Sequence, residues 1–356
     1  MSSSAPSIPA THSEYRRTGS YAGVEGGITL HKDVPVPKPG RGQVLVRVRA
    51  TSLNYRDLLI LRGQYSTPGL IKQGIPVSDA AGEVVALGEG VTDWKIGSRV
   101  AALFNPKELG GNQRYFSMAG SLGGDAEGVL AHYIVVDDFS LVDIGPSGLT
   151  FEEAATLPCA GVTAWNALYA GLIPLRAGRT VLVQGTGGVS ILAAQLALAA
   201  GARVIATSSS DEKLARLEKL GVAKTDLINY KTTPEWSAKV LELTGGLGVD
   251  YVIEVGGPGT IQQSISSVRI GGEVALIGMV AGFQGKGVDP LTVLMKGATM
   301  RGVLVGNREM FREMLEAIAI NKLKPVIDKV FPFEQALEAF RYLESAQHFG
   351  KVVIQV

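Results

Sequence analysis

The segment VLVQGTGGVSILAAQLALAA, residues 181–200, constrains the fold more strongly than any other part of the chain. An apolar run is followed directly by a Gly-rich turn and then by an apolar segment of helical composition. The turn comprises Gly185, Thr186, Gly187, Gly188 and Val189, with Ser190 in place of a third glycine. Glycines allow a tight turn and a close approach of the backbone to a pyrophosphate, and a helix N-terminus favours negative charge. The pattern predicts a dinucleotide-binding strand–helix unit.

The rest of the second half of the chain repeats the alternation of strand and helix. The runs RVIATS, VDYVIEV and EVALIGM are apolar without a two-residue period, which is typical of strands buried on both faces. Segments of helical composition separate them, so we expect a doubly wound parallel sheet. The first half contains short β-type runs between Gly- and Pro-rich turns, a pattern that favours a barrel-like β domain.

The second strand of the dinucleotide unit bears on the choice of cofactor. Where an NAD site places an acidic residue, RVIATSSSDEK has Ser208, followed by Ser209, Ser210 and Lys213. Hydroxyls at a helix N-terminus and a nearby ammonium favour a phosphate, so we predict NADPH in preference to NADH. Asp211 and Glu212 oppose this interpretation. The alternative is that the serines cap the helix and Lys213 is a solvated surface charge.

Composition excludes several classes of protein. A chain of 356 residues is too long for one core, so two domains are expected, and a net charge of +1 argues against nucleic acid or an acidic membrane as the partner. The single cysteine, Cys159, excludes intrachain disulfides and multi-Cys zinc sites. The N-terminal residues 1–17 lack the apolar core of a signal peptide and read as a flexible polar arm. No apolar run is long enough to span a bilayer, so we predict a cytoplasmic protein by default.

Several stretches together resemble the medium-chain dehydrogenase/reductase superfamily. They are GQVLVRVRATSLNYRDL, VSDAAGEVVALGEGVTDWKIGSRV, ATLPCAGVTAWNAL, the Gly-rich turn and FGKVVIQV. The resemblance implies a GroES-like β-barrel catalytic domain, residues 1–157 completed by 307–356, and a Rossmann domain, residues 158–306. It also implies an active site in the cleft between them.

Zinc members of this superfamily bind their catalytic metal through a Cys, a His and a further Cys or Asp. The matching positions here are Asn54, Ser78 and Cys159. One thiol is too few for a catalytic zinc, which needs about three protein ligands. The chain therefore resembles the zinc-independent branch, the NADPH quinone-oxidoreductase-like and enoyl-reductase-like enzymes, and we predict no zinc. Arg56 stands where zinc members have a proton-relay Ser or Thr.

The same resemblance implies further cofactor contacts. Tyr230 resembles a tyrosine that flanks the adenosine phosphate. The nicotinamide is expected beside two strand ends and a third segment near them: Val255 and Gly256; Gly278, Met279 and Val280; and Val303 to Val305.

The predicted chemistry is hydride transfer to an activated C=C bond or a quinone, because a conjugated acceptor does not need a Lewis acid. Asn54 is the candidate donor to the enolate oxygen, with Arg56 as a helper, and Tyr65 is the candidate proton donor. The structural alternatives are a helix cap for Asn54, an ion pair for Arg56 and packing for Tyr65. Two other functions stay open: a metal-free carbonyl reductase or alcohol dehydrogenase, and an NADPH-binding protein without turnover.

Two further expectations concern surfaces. The Gly-rich loop from Asn105 to Gly128 is expected to shape the pocket, with Tyr115, Phe116 and Met118 as apolar walls, or else to fill the place of an absent zinc lobe. The run ATMRGVLV, residues 298–305, reads as the last strand of the parallel sheet. An exposed edge strand pairs readily with its own copy, so we predict a homodimer unless residues 1–19 cover that edge.

Overall fold

The computed structural model describes residues 7–65, 69–111, 120–282, 284–285 and 287–356. The proposed pocket walls Tyr115, Phe116 and Met118 lie outside these residues. In chain order, the strands are β1 Thr11–Arg17, β2 Ile28–Pro35, β3 Gln43–Ser52, β4 Asp79–Leu87, β5 Arg99–Ala102, β6 Tyr133–Asp137, β7 Leu141–Asp143, β8 Thr180–Gln184, β9 Arg203–Ser208, β10 Leu227–Asn229, β11 Val249–Glu254, β12 Val268–Leu276, β13 Thr299–Gly302, β14 Ile327–Pro332 and β15 Lys351–Gln355.

Helices connect these strands. They are α1 Tyr55–Leu61, α2 Phe151–Ala155, α3 Val162–Tyr169, α4 Gly188–Ala199, α5 Asp211–Lys219, α6 Trp236–Leu243, α7 Ile261–Ser267, α8 Pro290–Lys296, α9 Arg308–Asn321 and α10 Ala336–Glu344, with a π-helical turn at Leu157–Gly161. No helix among the described residues is long and apolar enough to cross a membrane.

The chain forms two compact units. Unit 1 contains residues 1–162 and 307–356, and unit 2 contains residues 163–306. The sequence analysis set its first boundary after residue 157, whereas this division falls at the start of α3. Unit 2 is therefore one continuous segment inserted between the two parts of unit 1.

Unit 2 is built on a six-stranded parallel sheet in the order β10-β9-β8-β11-β12-β13. Helices α4 to α7 cover it, and side chains such as Leu182, Ile205 and Val252 are fully buried in its core. Because β8 and β11 are neighbours but lie far apart in the sequence, the strand order reverses between them. Ligands of open α/β sheets bind at such a switch point, beyond the carboxyl ends of the strands. The predicted doubly wound parallel sheet is confirmed.

Unit 1 contains a seven-stranded sheet in the order β14-β15-β3-β4-β5-β7, with β6 also paired to β3. Strand β15 is late in the sequence but lies inside the sheet, parallel to β14 and antiparallel to β3. Its residues Val352, Val353 and Ile354 are fully buried. The two parts of unit 1 are therefore joined through the middle of one sheet.

The N-terminal segment differs from the flexible arm that the sequence analysis expected. Residues Thr11–Arg17 form β1, which pairs antiparallel with β2. Two side chains that look solvated in the sequence, Glu14 and Arg17, are buried. The interpretation failed because a charged strand was counted as polar surface, whereas its arginine is buried against backbone carbonyls of other loops.

Strand β13 is an outer strand of its sheet, as predicted for residues 298–305. Helix α8, which contacts neighbouring β12, exposes Leu291, Leu294 and Met295 at 60, 73 and 74% of their surface. An exposed strand edge beside exposed apolar side chains is the kind of surface that pairs between copies of a chain.

We expect this surface to form a homodimer, which light scattering at micromolar concentration will detect. Leu294→Asp should give monomers because it places a charge in the apolar contact. Ile320→Asp is the matched control, since Ile320 is 79% exposed on α9 of unit 1. A monomeric wild type, or equal dissociation by both variants, contradicts the prediction.

Candidate active site

Asn54 lies at the junction between β3 and α1. It is the N-cap residue of α1, and its backbone N–H donates to the Asp57 carboxylate at 2.8 Å. Asn54 and Asp57 form a capping box at this helix start, so the helix-cap alternative for Asn54 remains beside the predicted contact with substrate. Helix α1 ends at Leu61 with Arg62 as its C-cap, and Gly63 has the positive φ of 65° that lets the chain turn away.

Three neighbouring strands bring polar side chains together around Asn54. The register pairs Val353 with Ser52 and Ser52 with Asp79. Continuing that register past the end of β3 sets Lys351 opposite Asn54. Ser78 and Asp79 lie on the other side of β3. The cluster of Lys351, Asn54, Ser78 and Asp79 therefore follows from strand order β15-β3-β4.

The Lys351 ammonium is the buried cation of this cluster. Its side chain is 4% exposed, and Nζ donates to the Leu53 carbonyl oxygen at 2.6 Å and to Asn54 Oδ1 at 2.7 Å. Asp79 Oδ2 lies 4.0 Å from the same nitrogen. The sequence analysis missed Lys351, although a lysine opening the apolar strand KVVIQ was a visible signal.

Asp79 joins the cluster to Cys159. Its carboxylate accepts from Ser78 Oγ at 2.6 Å and from the Cys159 backbone N–H at 3.2 Å. Burial raises the pKa of Asp79, and Lys351 opposes that rise. Burial, followed by the charge of Asp79, raises the pKa of the Cys159 thiol above its ordinary value. The thiol is therefore kept protonated, which is unfavourable for a nucleophile.

Arg56 and Tyr65 form the adjoining part of the site. The Arg56 guanidinium lies 5.2 Å from the centroid of the Tyr65 ring and 4.6 Å from that of Phe104. It also donates to the Leu122 carbonyl oxygen and to Ser121 Oγ. Burial raises the pKa of Tyr65, and Arg56 opposes the rise. Tyr65 therefore keeps its proton at neutral pH beside a positive charge. Arg56 therefore holds a loop beside the Tyr65 ring, and its role as a helper of Asn54 stays a prediction.

Two buried arginines hold the described end of the Gly-rich loop. Arg56 contacts residues 121 and 122, as above, and Arg17 Nη1 donates to the Gly123 carbonyl oxygen at 2.5 Å. Arg17 also donates to Gly124. Guanidinium groups have several donors in a fixed fork, which suits them to collect backbone carbonyls.

The predicted dinucleotide turn connects β8 to α4 in unit 2. Gly185 has a φ of 70°, and a Cβ atom added at Gly185 or Gly187 would meet no atom within 4 Å. Gly187 caps α4, so open space lies before a helix N-terminus, as a pyrophosphate requires. Ser190 Oγ donates to the Gln184 carbonyl oxygen at 2.6 Å, so its hydroxyl is satisfied inside the turn. Thr186 is buried and Val189 half-buried in the same turn. These residues fit a dinucleotide.

The residues predicted for the adenosine end lie at the carboxyl end of β9. Ser208 is buried, and Ser210 caps α5 by accepting from the Lys213 backbone N–H. Ser209 is half-buried between them, and Tyr230 is 42% exposed after β10, its N–H bonded to the Ser208 carbonyl. Asp211, which was expected to repel a phosphate, accepts from Asn229 Nδ2 at 2.7 Å.

The predicted nicotinamide segments follow the carboxyl ends of β11, β12 and β13. The first two contact each other, because Val280 N–H donates to the Val255 carbonyl and Ala281 N–H to that of Gly256. Gly278 packs against Val255, and Met279 is 45% exposed. Val303 is buried, whereas Val305 has a φ of 54° and its carbonyl accepts from Asn166.

Sequence reasoning also missed Glu254, which organises these segments. It is fully buried at the end of β11, and its carboxylate accepts from the backbone N–H groups of Gly256 and Gly257 at 2.8 Å each. Gln184 and Thr260 donate to it as well. Buried carboxylates are tolerated when they are bonded in this way.

A catalytic zinc does not fit the donors at the positions where zinc members of the superfamily bind it. Asn54 Oδ1 accepts from an ammonium and Ser78 Oγ donates to Asp79, so Cys159 is the one thiol at these three positions. A divalent cation would also face the positive charge of Lys351. Within the described residues, no group of three His, Cys, Asp or Glu side chains could hold a metal.

Comparison with known proteins gives two family matches. Residues 40–146 match the alcohol dehydrogenase GroES-like domain, and residues 188–319 match the zinc-binding dehydrogenase family. A zinc-type alcohol dehydrogenase-like protein from Schizosaccharomyces pombe is 45% identical over 88% of this chain and 91% of its own length.

Two further similarities bear on chemistry. A solved NAD-dependent alcohol dehydrogenase is 33% identical, with a TM-score of 0.86 over 97% of this chain and 99% of its own. An acryloyl-coenzyme A reductase from Metallosphaera sedula is 30% identical over 91% of this chain and 95% of its own.

We expect the purified protein to contain no stoichiometric zinc, despite the names of these relatives, because its donor set offers one thiol where about three ligands are needed. Metal analysis by mass spectrometry tests this directly. Treatment with a chelator should leave the melting temperature and any turnover unchanged. One tightly bound zinc per chain would show the interpretation to be wrong.

Proposed function

The chain belongs to the medium-chain dehydrogenase/reductase superfamily, in its zinc-type alcohol dehydrogenase-like group, as an NAD(P)-dependent oxidoreductase, and we propose that it reduces carbonyl groups to alcohols without a metal. The observation that carries the proposal is the Asn54 amide, whose oxygen is bound by Lys351 and whose nitrogen faces Ser78 at 3.4 Å. This amide is a fixed hydrogen-bond donor where zinc relatives use a metal.

Reduction of a carbonyl group is better supported than reduction of an enone or a quinone, which the sequence alone favoured. The S. pombe protein and the solved NAD-dependent enzyme are named as alcohol dehydrogenases or dehydrogenase-like, and both match over nearly the whole chain. Carbonyl reduction is also compatible with a site that has hydrogen-bond donors but lacks the donor set for zinc, because such donors stabilise a developing alkoxide.

The residues of unit 1 have distinct proposed roles. The Asn54 amide nitrogen binds and orients the carbonyl oxygen. Tyr65 donates its proton to that oxygen, and the Arg56 guanidinium beside the ring stabilises the tyrosinate that remains until solvent reprotonates it. Reduced cofactor, when bound, supplies the hydride to the carbonyl carbon.

We propose NADPH as the preferred cofactor. In support, β9 ends in Ser208 without an acidic side chain. Asp211 opposes this assignment, because the neutral amide of Asn229 that donates to it leaves its negative charge in place. Ser209, Ser210, Lys213 and Tyr230 surround the same strand end and would bind a 2′-phosphate. The similarity to an NAD-dependent enzyme points the other way, so the cofactor requires its own measurement.

Reduction of an activated C=C bond is the second candidate. The 30% identity to an acryloyl-coenzyme A reductase favours it, and the same donors would stabilise an enolate oxygen. In that reaction hydride adds to the β-carbon and Tyr65 protonates the α-carbon.

A substrate panel separates these functions. The protein is incubated with NADPH or NADH and with aldehydes, ketones, enals, enones and quinones, and cofactor absorbance is followed. Enals are informative because product analysis distinguishes an allylic alcohol from a saturated aldehyde. We expect turnover of carbonyls and at least a tenfold preference for NADPH. Tight NADPH binding without turnover on any class would favour a non-catalytic binding protein, and a tenfold preference for NADH would overturn the cofactor assignment.

Tyr65→Phe should lower kcat by roughly 10²-fold on a verified substrate, because it removes the proton donor, while NADPH affinity stays nearly the same. Tyr342→Phe is the control, since it removes a partly buried hydroxyl that donates to Asp328 in another part of unit 1. If Tyr65→Phe turns over at the wild-type rate, the proton comes from water.

A further inference from the structure

Lys351 is a buried charged residue that the proposed chemistry has not yet used. Removing a charge from water costs several kcal/mol unless it is compensated, and a well-packed apolar residue often stabilises a fold equally well. The partners of this ammonium are two uncharged oxygens at hydrogen-bond distance and one carboxylate at 4.0 Å. Burying an ammonium with these partners is unfavourable for the stability of the fold, whereas the rest of the strand buries valines and an isoleucine.

The contact with Asn54 determines the orientation of its amide. An ammonium is a donor only, so the Asn54 atom at 2.7 Å must be the oxygen, and the NH₂ group must point the other way. Ser78 Oγ lies 3.4 Å from that nitrogen, and because its own hydrogen is donated to Asp79, it can accept. The nitrogen carries two hydrogens: one faces Ser78, and the Asp79 carboxylate also takes a hydrogen bond from this amide, so a substrate oxygen would compete with Asp79 for it.

The contact also changes the strength of the donor. Positive charge on the amide oxygen draws electron density from the nitrogen, and hydrogen bonds assisted by charge are about twice as strong as neutral ones. Burial increases the effect because the surrounding dielectric is low. Two of the three ammonium hydrogens are used by Leu53 and Asn54, and Asp79 faces the third. Lys351 therefore acts on a substrate only through Asn54.

We propose that Lys351 is the positioning residue that takes over the electrostatic role of the metal: it orients and polarises the Asn54 amide so that its N–H stabilises negative charge on the substrate oxygen. Asp79 balances the charge of Lys351 and, through Ser78, restrains the amide nitrogen. The inference rests on the proposed function, because it requires Asn54 to bind a substrate oxygen.

A mutant cycle tests the coupling. Lys351→Met alone would leave Asp79 buried without its counter-ion, so the working variant is Lys351→Met with Asp79→Asn, which removes both charges. It is compared with Asn54→Ala and with the triple variant on a verified carbonyl substrate. Melting temperature and NADPH affinity, which depends on unit 2, identify variants that are merely misfolded.

We expect Asn54→Ala and the Lys351/Asp79 double variant each to lower kcat/KM by about 10²-fold, the range for loss of one oxyanion donor. The triple variant should lose no more than Asn54→Ala alone, because Lys351 acts through Asn54. Lys296→Met is the matched control, because Lys296 Nζ likewise donates to two oxygens, the backbone carbonyls of Ser266 and Val268, but in unit 2. Its kcat/KM should stay at the wild-type value.

Two results would overturn the inference, and they separate it from the proposed function. If Asn54→Ala is impaired while the Lys351/Asp79 variant turns over normally, or if the losses multiply in the triple variant, Lys351 does not act through Asn54 and the proposed function stands. If Asn54→Ala itself retains the wild-type kcat/KM, the donor role in the proposed function fails, and the inference fails with it.

Discussion

The buried ammonium of Lys351 is the interaction on which the arrangement of unit 1 depends. The ammonium belongs to the first residue of β15 and lies between the end of β3 and the start of β4. One hydrogen-bonded group therefore links three neighbouring strands where their ends meet. Each partner restricts the others: the amide of Asn54 can face only one way, and Asp79 is held by Ser78 and Cys159. The bonds also explain why Lys351, Asn54, Ser78 and Asp79 are tolerated as buried polar groups, since each has a hydrogen-bond partner.

Two other buried cations of unit 1, both arginines, hold a loop in place. Arg17 and Arg56 collect the backbone carbonyls of residues 122–124, so the loop that follows the undescribed segment is tied to β1 and α1. A group with several fixed donors can organise a loop that has little apolar surface of its own. In unit 2 the corresponding role belongs to an anion, because Glu254 collects backbone N–H groups at the end of β11. The two units therefore use opposite charges to shape the loops that bear their candidate functional residues.

Much of the fold was predictable from the sequence because it depends on local pattern. The Gly-rich turn, the apolar strands of unit 2 and the ends of α1 are each encoded within a few residues. The cluster around Asn54 was not, because Lys351 is nearly 300 residues away and only the pairing of β15 with β3 brings them together. Arg17 was mistaken for part of a solvated arm for the same reason: its partners, at residues 71, 123 and 124, are invisible in the local sequence.

The interior position of β15 has a consequence for the order in which the protein is made. Unit 2 is continuous, so all of its residues are synthesised before β14 and β15, and domains generally fold as units during translation. Until those two strands are made, β3 is an outer strand of the sheet of unit 1, and the groups that later bind Lys351 lack that partner. Pairing of β15 with β3 brings Lys351 to Asn54 and Asp79, so a nascent chain completes its candidate cofactor-binding half before its candidate catalytic half.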